Sequence, residues 1–314
     1  MLGSGPDDGD IIEMSAGKPR LTGVIGGGRR LVLVVGVCAL LVAGAALAAV
    51  RLNSGPPANA ALAKLITEVT TVPVRETVPA PSPTGIRVRV ALGSGVLAPP
   101  LPPDLSGSAS ALALAIAPSV PVPVSGPPLT ADGKPEVLYV AKGYCPYCLA
   151  EIWALIVALS RFGQFSGLST SRSPLFDDVP PVDGWTFYGS SYSSTYLTFV
   201  PVETASNVLV SPKSDPAKAA SYRRLQRLTP GEQAVFATLD PAGSTPFLDF
   251  GGKAAQAGTE IVPSMLAGLT WSEIAADLRL PQTAVGMTIL ASVDTLTAEF
   301  CRLTGDRPAA VCSG

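Results

Sequence analysis

The sequence predicts an α/β domain, a central mixed sheet flanked by helices with a helical insertion, carried behind one transmembrane helix. Three observations point that way. Residues 137–148, Val-Leu-Tyr-Val-Ala-Lys-Gly-Tyr-Cys-Pro-Tyr-Cys, read as an apolar strand, a glycine turn and a C-x-x-C at the mouth of an amphipathic helix. Strand-like and helix-like segments alternate from there to the C-terminus. Upstream, residues 31–50 form an uninterrupted apolar run of 20 residues, long enough to cross ~30 Å of hydrocarbon.

Taken in chain order, residues 1–30 are polar and Gly-rich, a disordered tail by composition. Arg29 and Arg30 stand directly before the apolar run with Lys18 and Arg20 further upstream, whereas only Arg51 and Lys64 follow closely. The positive-inside bias places the tail in the cytoplasm and everything after residue 51 outside, in contact with the lipid bilayer only through residues 31–50. The competing reading is a cleaved signal peptide ending near Ala46-Leu-Ala48. Either reading exports the remainder of the chain. Residues 51–126 are a linker rich in Pro, Ala and Gly, with weak helical periodicity at 60–69 and strand-like alternation at 86–90.

The globular pattern occupies residues 127–314. A buried strand covers 136–141, and a helix runs over 146–162 to stop at Gly163. Residues 185–188 and 196–202 are strands by their aromatic and β-branched content. Residues 215–228 and 231–239 are read as the helices of an insertion, the second started by Thr229-Pro230. A strand over 246–250, a Gly251-Gly252 hairpin turn and a weaker strand towards 261–262 follow. Thr270 and Glu273 are spaced as a capping box for a helix reaching residue 280, and a last helix covers 284–303.

Composition narrows the chemistry. Net charge is −2, which gives no basis for a nucleic-acid partner. The chain has no histidine, which removes Ser-His-Asp and Cys-His catalysis and the usual zinc, copper and haem ligand sets. A C-x-x-C alone supplies two of the roughly four ligands zinc requires, so no metal site is expected. A helix N-terminus lowers a cysteine pKa through its free N–H groups and partial positive charge. Cys145 at the cap position therefore reads as the exposed nucleophile and Cys148, one turn on, as the resolving partner. Cys301 and Cys312 lie close together near the C-terminus without helix-start context. Outside the cytoplasm they read as a structural disulfide, closing a loop that would constrain the unfolded chain by up to about 3 kcal/mol. Cys38 reads as a small apolar residue of the membrane segment.

The order strand, active helix, strand, insertion, strand, strand, helix resembles the thioredoxin-like fold. In that superfamily a proline at the start of the third core strand faces the C-x-x-C through a cis peptide bond, and its backbone pairs with an extended substrate. Thr245-Pro246 before Phe-Leu-Asp-Phe matches that element and implies a substrate-binding role for Thr245 and Pro246. An ordinary trans proline at a strand's first residue is the alternative. The separation of 98 residues from Cys148 to Pro246 fits an insertion of the kind carried by periplasmic disulfide oxidoreductases. Gly-Lys-Pro-Glu-Val-Leu-Tyr-Val, Cys-Pro-Tyr-Cys with Trp153, Phe-Tyr-Gly-Ser-Ser-Tyr192 and Leu-Thr-Trp-Ser272 are similar to a membrane-anchored family known as domain of unknown function 929, over about residues 127–314. Thioredoxin carries a buried Asp six residues before its first cysteine, and here that position is Tyr139. Glu151 or Asp249 could take over its proton, although a Glu on a helix is commonly solvated. Lys142 could lower the Cys145 pKa by its charge, or be a solvated loop residue.

The expectation is thus an extracytoplasmic thiol–disulfide exchange protein acting on protein thiols and disulfides of exported partners, with a membrane redox partner if it runs as a reductase. No cofactor beyond the cysteine pair is implied. The rival expectation is a non-catalytic interaction module whose C-x-x-C is a structural bridge.

Overall fold

The computed structural model describes residues 59–74, 119–175, 179–211 and 221–313. The segments at 1–30, 31–50 and 86–90 lie outside the described residues, so the tail, the transmembrane reading and the strand-like stretch carry no structural statement.

The described elements in chain order begin with helix α1 (Asn59–Thr70) and strands β1 (Val122–Pro123), β2 (Thr130–Ala131) and β3 (Lys134–Ala141). Helix α2 (Pro146–Ser160) is followed by β4 (Gln164–Ser166), β5 (Ser169–Arg172), β6 (Asp183–Thr186), β7 (Ser191–Ser193) and β8 (Thr198–Glu203). Then come β9 (Ala205–Ser211), β10 (Ser221–Arg224), α3 (Pro230–Leu239), β11 (Phe247–Phe250) and β12 (Ala254–Ala257). A short 3-10 turn (Pro263–Met265), α4 (Trp271–Asp277), α5 (Ala284–Thr304) and α6 (Ala309–Cys312) complete the chain.

The central sheet is mixed. Strand β3 lies between β8, which runs parallel to it, and β11, which runs antiparallel, and β12 and then β1 extend the sheet beyond β11. Strand β2 forms a short hairpin with the start of β3. Side chains alternate across a strand, and β3 is apolar in both directions because both directions are buried. Val137, Tyr139 and Ala141 enter the larger core with α2, α4 and α5, while Leu138 and Val140 enter a smaller one with Val202, Phe247 and Leu239 of α3. This satisfies the rule that strands covered on two faces read as continuous apolar runs.

Helix α2 departs from the amphipathic helix read in the sequence. Pro146 and every residue of 148–159 are buried, leaving Tyr147 as its one strongly exposed large side chain. A helix apolar all round belongs inside a core, and this one is wrapped by α5, α1, β6 and the 3-10 turn. Strand β6 approaches so closely that a Cβ on Gly184 would stand 2.8 Å from the Leu149 carbonyl and 2.9 Å from its Cβ. Two indoles hold it there: Trp153 Nε1 donates to the Asp183 carbonyl at 2.9 Å and Trp271 Nε1 to the Gly184 carbonyl at 2.6 Å.

Two further differences concern what surrounds this core. The weakly helical stretch of the linker is α1, and it is docked: Leu65 and Val69 are buried in the larger core, and Arg279 donates to the Glu68 carbonyl at 2.8 Å and the Thr71 hydroxyl at 3.0 Å. With β1, the packed unit therefore takes in residues ahead of 127. The insertion is chiefly β-structure. Strands β4 and β7, β5 and β6, and β9 and β10 form three antiparallel pairs, and α3 is the single helix between α2 and β11 among the described residues. Where the sequence suggests a helix over 215–228, residues Ser221–Arg224 form a strand, with Tyr222 paired to Leu209; tertiary pairing overrides a helix-compatible composition there. The expected strand towards 261–262 ends at Ala257.

Helix α5 is, among the described residues, the one helix long and apolar enough to cross a membrane by length and composition. Here Ile289, Leu290, Val293, Leu296 and Phe300 are core residues, and Phe300 packs edge-on to Phe162. A disulfide joins Cys301 to Cys312 with Cα atoms 5.5 Å apart, folding α6 back onto α5.

Gly184→Ala is expected to push β6 off α2 at a cost of roughly 1–3 kcal/mol for an overpacked core. In a domain of this size that lowers Tm by about 2–4 °C per kcal/mol, readable by differential scanning calorimetry. An unchanged Tm would refute the close packing.

Candidate functional site

The C-terminal end of β3 delivers the chain into the turn at 142–145. Gly143 is required there, since a Cβ would meet the Ala205 carbonyl at 3.1 Å and Ser206 Cα at 3.2 Å, while its N–H donates to the same carbonyl at 2.7 Å. Cys145 N donates to the Lys142 carbonyl at 3.0 Å, and Cys145 then takes extended backbone as the N-cap of α2, with Pro146 in the first turn. At that position a side chain normally offers oxygen to the free N–H groups. Here sulfur does so: Cys145 Sγ accepts from Cys148 N at 3.4 Å.

One further contact completes the thiol pair. Cys145 Sγ lies 3.5 Å from the Thr245 carbonyl, to which the thiol donates, and the Thr245-Pro246 peptide bond is cis. The turn after β3 and the start of β11 thus meet at one sulfur. Both cysteines are free thiols. Cys145 is 7% exposed and Cys148 fully buried, so the nucleophile read as exposed is instead mostly covered; the side chain displayed between them is Tyr147, 44% exposed.

The surroundings separate the two thiols electrostatically. The hydrogen bond from the Cys148 thiol, reinforced by the N–H groups of Cys148 and Tyr147 and by Thr245, brings Cys145 from 9.0 down to about 7 against the opposing effect of burial. Burial first, then Cys145 itself, pushes Cys148 well above its ordinary value, with the Lys142 backbone N–H opposing. Lys142 therefore touches the pair through its backbone, and its ammonium is not among the causes that lower Cys145.

Beneath the pair lie groups of different visibility in sequence. Glu151 is fully buried and not a solvated helix residue. Its carboxylate accepts from Thr259 Oγ1 at 2.5 Å and Gln256 Nε2 at 3.2 Å, and burial raises its pKa to about 7. Asp249 serves another end of the sheet: it pairs with Leu138 and accepts from Gly252 N at 2.6 Å, tying the turn between β11 and β12. Tyr139 occupies the position six before Cys145, and its hydroxyl donates to the Cys148 carbonyl at 3.1 Å. Burial, with Cys148, Glu203, Glu151 and Cys145 nearby, drives its pKa well above 10.

Two members of the site have no marker of that role in the sequence motifs, Tyr139 as a hydrogen-bonding group and Glu203. Glu203 ends β8 beside Ala141, where its carboxylate accepts from Thr186 Oγ1 at 2.7 Å and Phe187 N at 2.5 Å. A carboxylate closing an apolar strand was the available signal. Among the described residues no three His, Cys, Asp or Glu side chains group as metal ligands.

Part of this geometry falls inside one recognisable stretch. Residues 120–215 match the model of a domain of unknown function, DUF929. The match supports that family; it takes in β1 to β9, and so Cys145 and Cys148, and ends before Thr245-Pro246 and the Cys301–Cys312 bridge. No curated protein and no solved structure matches the chain.

Two outcomes follow. Alkylation of Cys145 by iodoacetamide should rise with a midpoint near pH 7, and Cys148→Ala, which removes the first of the lowering hydrogen bonds, should move that midpoint upward. Identical profiles in the two proteins would contradict the assignment. For Glu151 the folded-state pKa, about 7, exceeds the ordinary 4.5, so its contribution to stability is complete below pH 4.5 and is lost as pH rises to 7. Denaturant unfolding at pH 5 and pH 8 should therefore show a fall smaller in Glu151→Gln than in wild type, by roughly 2 kcal/mol. Equal falls would place that carboxylate in water.

Proposed function

We propose that the chain is a membrane-anchored, extracytoplasmic thiol–disulfide exchange protein built on a thioredoxin-like fold. The observation that carries this reading is Cys145 as a sulfur N-cap, its pKa drawn to about 7, against the carbonyl before a cis proline. The order β12-β11-β3-β8, with only β8 parallel to β3, supports the fold, and the apolar run at 31–50 supports the anchor.

In the reductive direction the Cys145 thiolate attacks a partner disulfide. A Cys145–partner S–S bond forms, the partner's own S–S bond breaks, and one partner thiolate leaves. Cys148 then gives up its proton and attacks Cys145 Sγ, which releases the second partner thiolate and leaves a Cys145–Cys148 disulfide. Two electrons have passed to the partner, and the reverse sequence oxidises it. Low Cys145 and high Cys148 pKa values suit these roles, because the thiolate is the attacking species. Glu151, one turn beyond Cys148 and poised near neutrality, is the group assigned to receive the Cys148 proton. The Thr245 and Pro246 backbone would align an extended partner segment as an added strand.

A second reading, the structural bridge in a non-catalytic module, is favoured by one observation, the 7% exposure of Cys145. The reduction potential separates them. The purified full chain is equilibrated in thiol redox buffers, quenched and alkylated, and the Cys145–Cys148 peptide is scored by mass spectrometry. A potential between about −100 and −270 mV is expected and sets the direction of exchange; a value below about −300 mV would mark a structural bridge and end the enzymatic reading.

A further inference from the structure

Beside the thiol pair, on the side of the β9–β10 hairpin, lies an open groove of about 620 Å³. Its floor is Tyr144, the residue before Cys145, stacked on Tyr222 of β10 with ring centroids 4.1 Å apart and planes 18° from parallel. Tyr144 is continuous with the thiols electrically as well as in sequence: burial, then Cys145, Cys148 and Tyr222, raise its pKa. The walls carry Arg224 and Arg227, with Thr204 and Gln233 between, and among the described residues no carboxylate lines the groove.

The groove is firmly built. Gly143 N is bonded to the Ala205 carbonyl at 2.7 Å, Leu225 N to the Thr204 carbonyl at 3.2 Å and Gln226 N to the Glu203 carbonyl at 3.0 Å, and the Gln226 side chain accepts from Glu203 N at 2.8 Å. These bonds fix the hairpin to the ends of β3 and β8. Arg224 and Arg227 are exposed, and among the described residues neither guanidinium has a hydrogen bond or ion pair. The chain as a whole carries −2, so two uncompensated guanidinium groups here form a local field of opposite sign. Guanidinium is the side chain best shaped to receive a carboxylate, and a cleft lined by one sign raises the encounter rate of the other.

We propose that this groove docks the acidic flank of an extended polypeptide whose cysteine sulfur meets Cys145. The inference deepens the exchange reading by naming its substrate class, and the part concerning sulfur rests on that reading. The stacked tyrosines offer an apolar floor to peptide backbone, and the arginines select the charge above it.

The test uses the full chain and three synthetic peptides of one sequence, flanked by Glu, Gln or Lys around a central residue. With serine at the centre, binding is followed by fluorescence anisotropy. With cysteine at the centre as a mixed disulfide, the exchange rate is followed. The Glu peptide is expected to bind and react faster than the Lys peptide by about tenfold in low salt. The difference should collapse at 0.5 M salt, where the screening length falls well below ~8 Å. Arg224→Gln with Arg227→Gln should abolish the preference while leaving the Gln peptide unchanged, and Arg224→Glu with Arg227→Glu should transfer it to the Lys peptide. Equal behaviour of the three peptides, or a preference that survives both double variants, overturns the inference and leaves the exchange reading intact. An arginine effect seen only with anionic lipid vesicles, and not in detergent, overturns it in favour of a lipid-facing patch. Selective Glu-peptide binding without any exchange supports the docking groove and defeats the exchange reading.

Discussion

A helix with no solvent-facing side must still find partners for its first N–H groups, and in α2 they fall on sulfur. Thirteen of its residues are buried, so water cannot serve the N-terminus freely, and Cys145 Sγ takes the Cys148 N–H in the place an oxygen cap would hold. That single substitution of sulfur for oxygen links stability to chemistry. The donors that hold the helix end are the same ones that favour the thiolate. Everything else described around the site keeps α2 in place so that this cap can form: β6 against Leu149, the two indoles on β6, α5 behind and α1 over the flank.

The carboxylates of this domain are sorted by what they touch. Glu203 is occupied by a hydroxyl and a backbone N–H and fastens the segment around Phe187 to the sheet. Asp249 accepts the Gly252 N–H at Oδ1, fastening a turn, while its Oδ2 is buried without a hydrogen-bond partner among the described residues. Glu151 accepts only from side chains, Thr259 and Gln256, which can reorient. A carboxylate held by movable donors can change protonation without unmaking backbone structure.

Much of this was legible in the chain. The strand–turn–helix around Cys145 is written in local terms: an apolar run, a glycine, a proline at the first helical turn and helix formers beyond. The capping box at Thr270/Glu273 and the start signal Thr229-Pro230 read directly from the sequence, and both helices start there. What escaped depends on partners far away in sequence. Burial of α2 on every side comes from α1, β6 and α5, none of which periodicity within 146–160 can announce. Strand β10 exists because of β9, and Glu151 is dry because Gln256 and Thr259 cover it. The docking of α1 escaped for the same reason, since Leu65 and Val69 in a weakly patterned linker reveal nothing about the surface that receives them.

The Cys301–Cys312 bridge sits towards the end of the sheet remote from the free thiols Cys145 and Cys148. Leu303, next along α5, packs against Gly251, and Gly251 N is bonded to the Glu136 carbonyl, near the opposite end of β3 from the turn that carries Cys145. From Glu136 to Ala141 the strand advances roughly 17 Å at about 3.3 Å per residue. The two sulfur pairs line one and the same core, set apart along the strand. The bridge therefore fastens α6 towards the end of the sheet remote from the free thiols, and the two pairs share a core without sharing a turn.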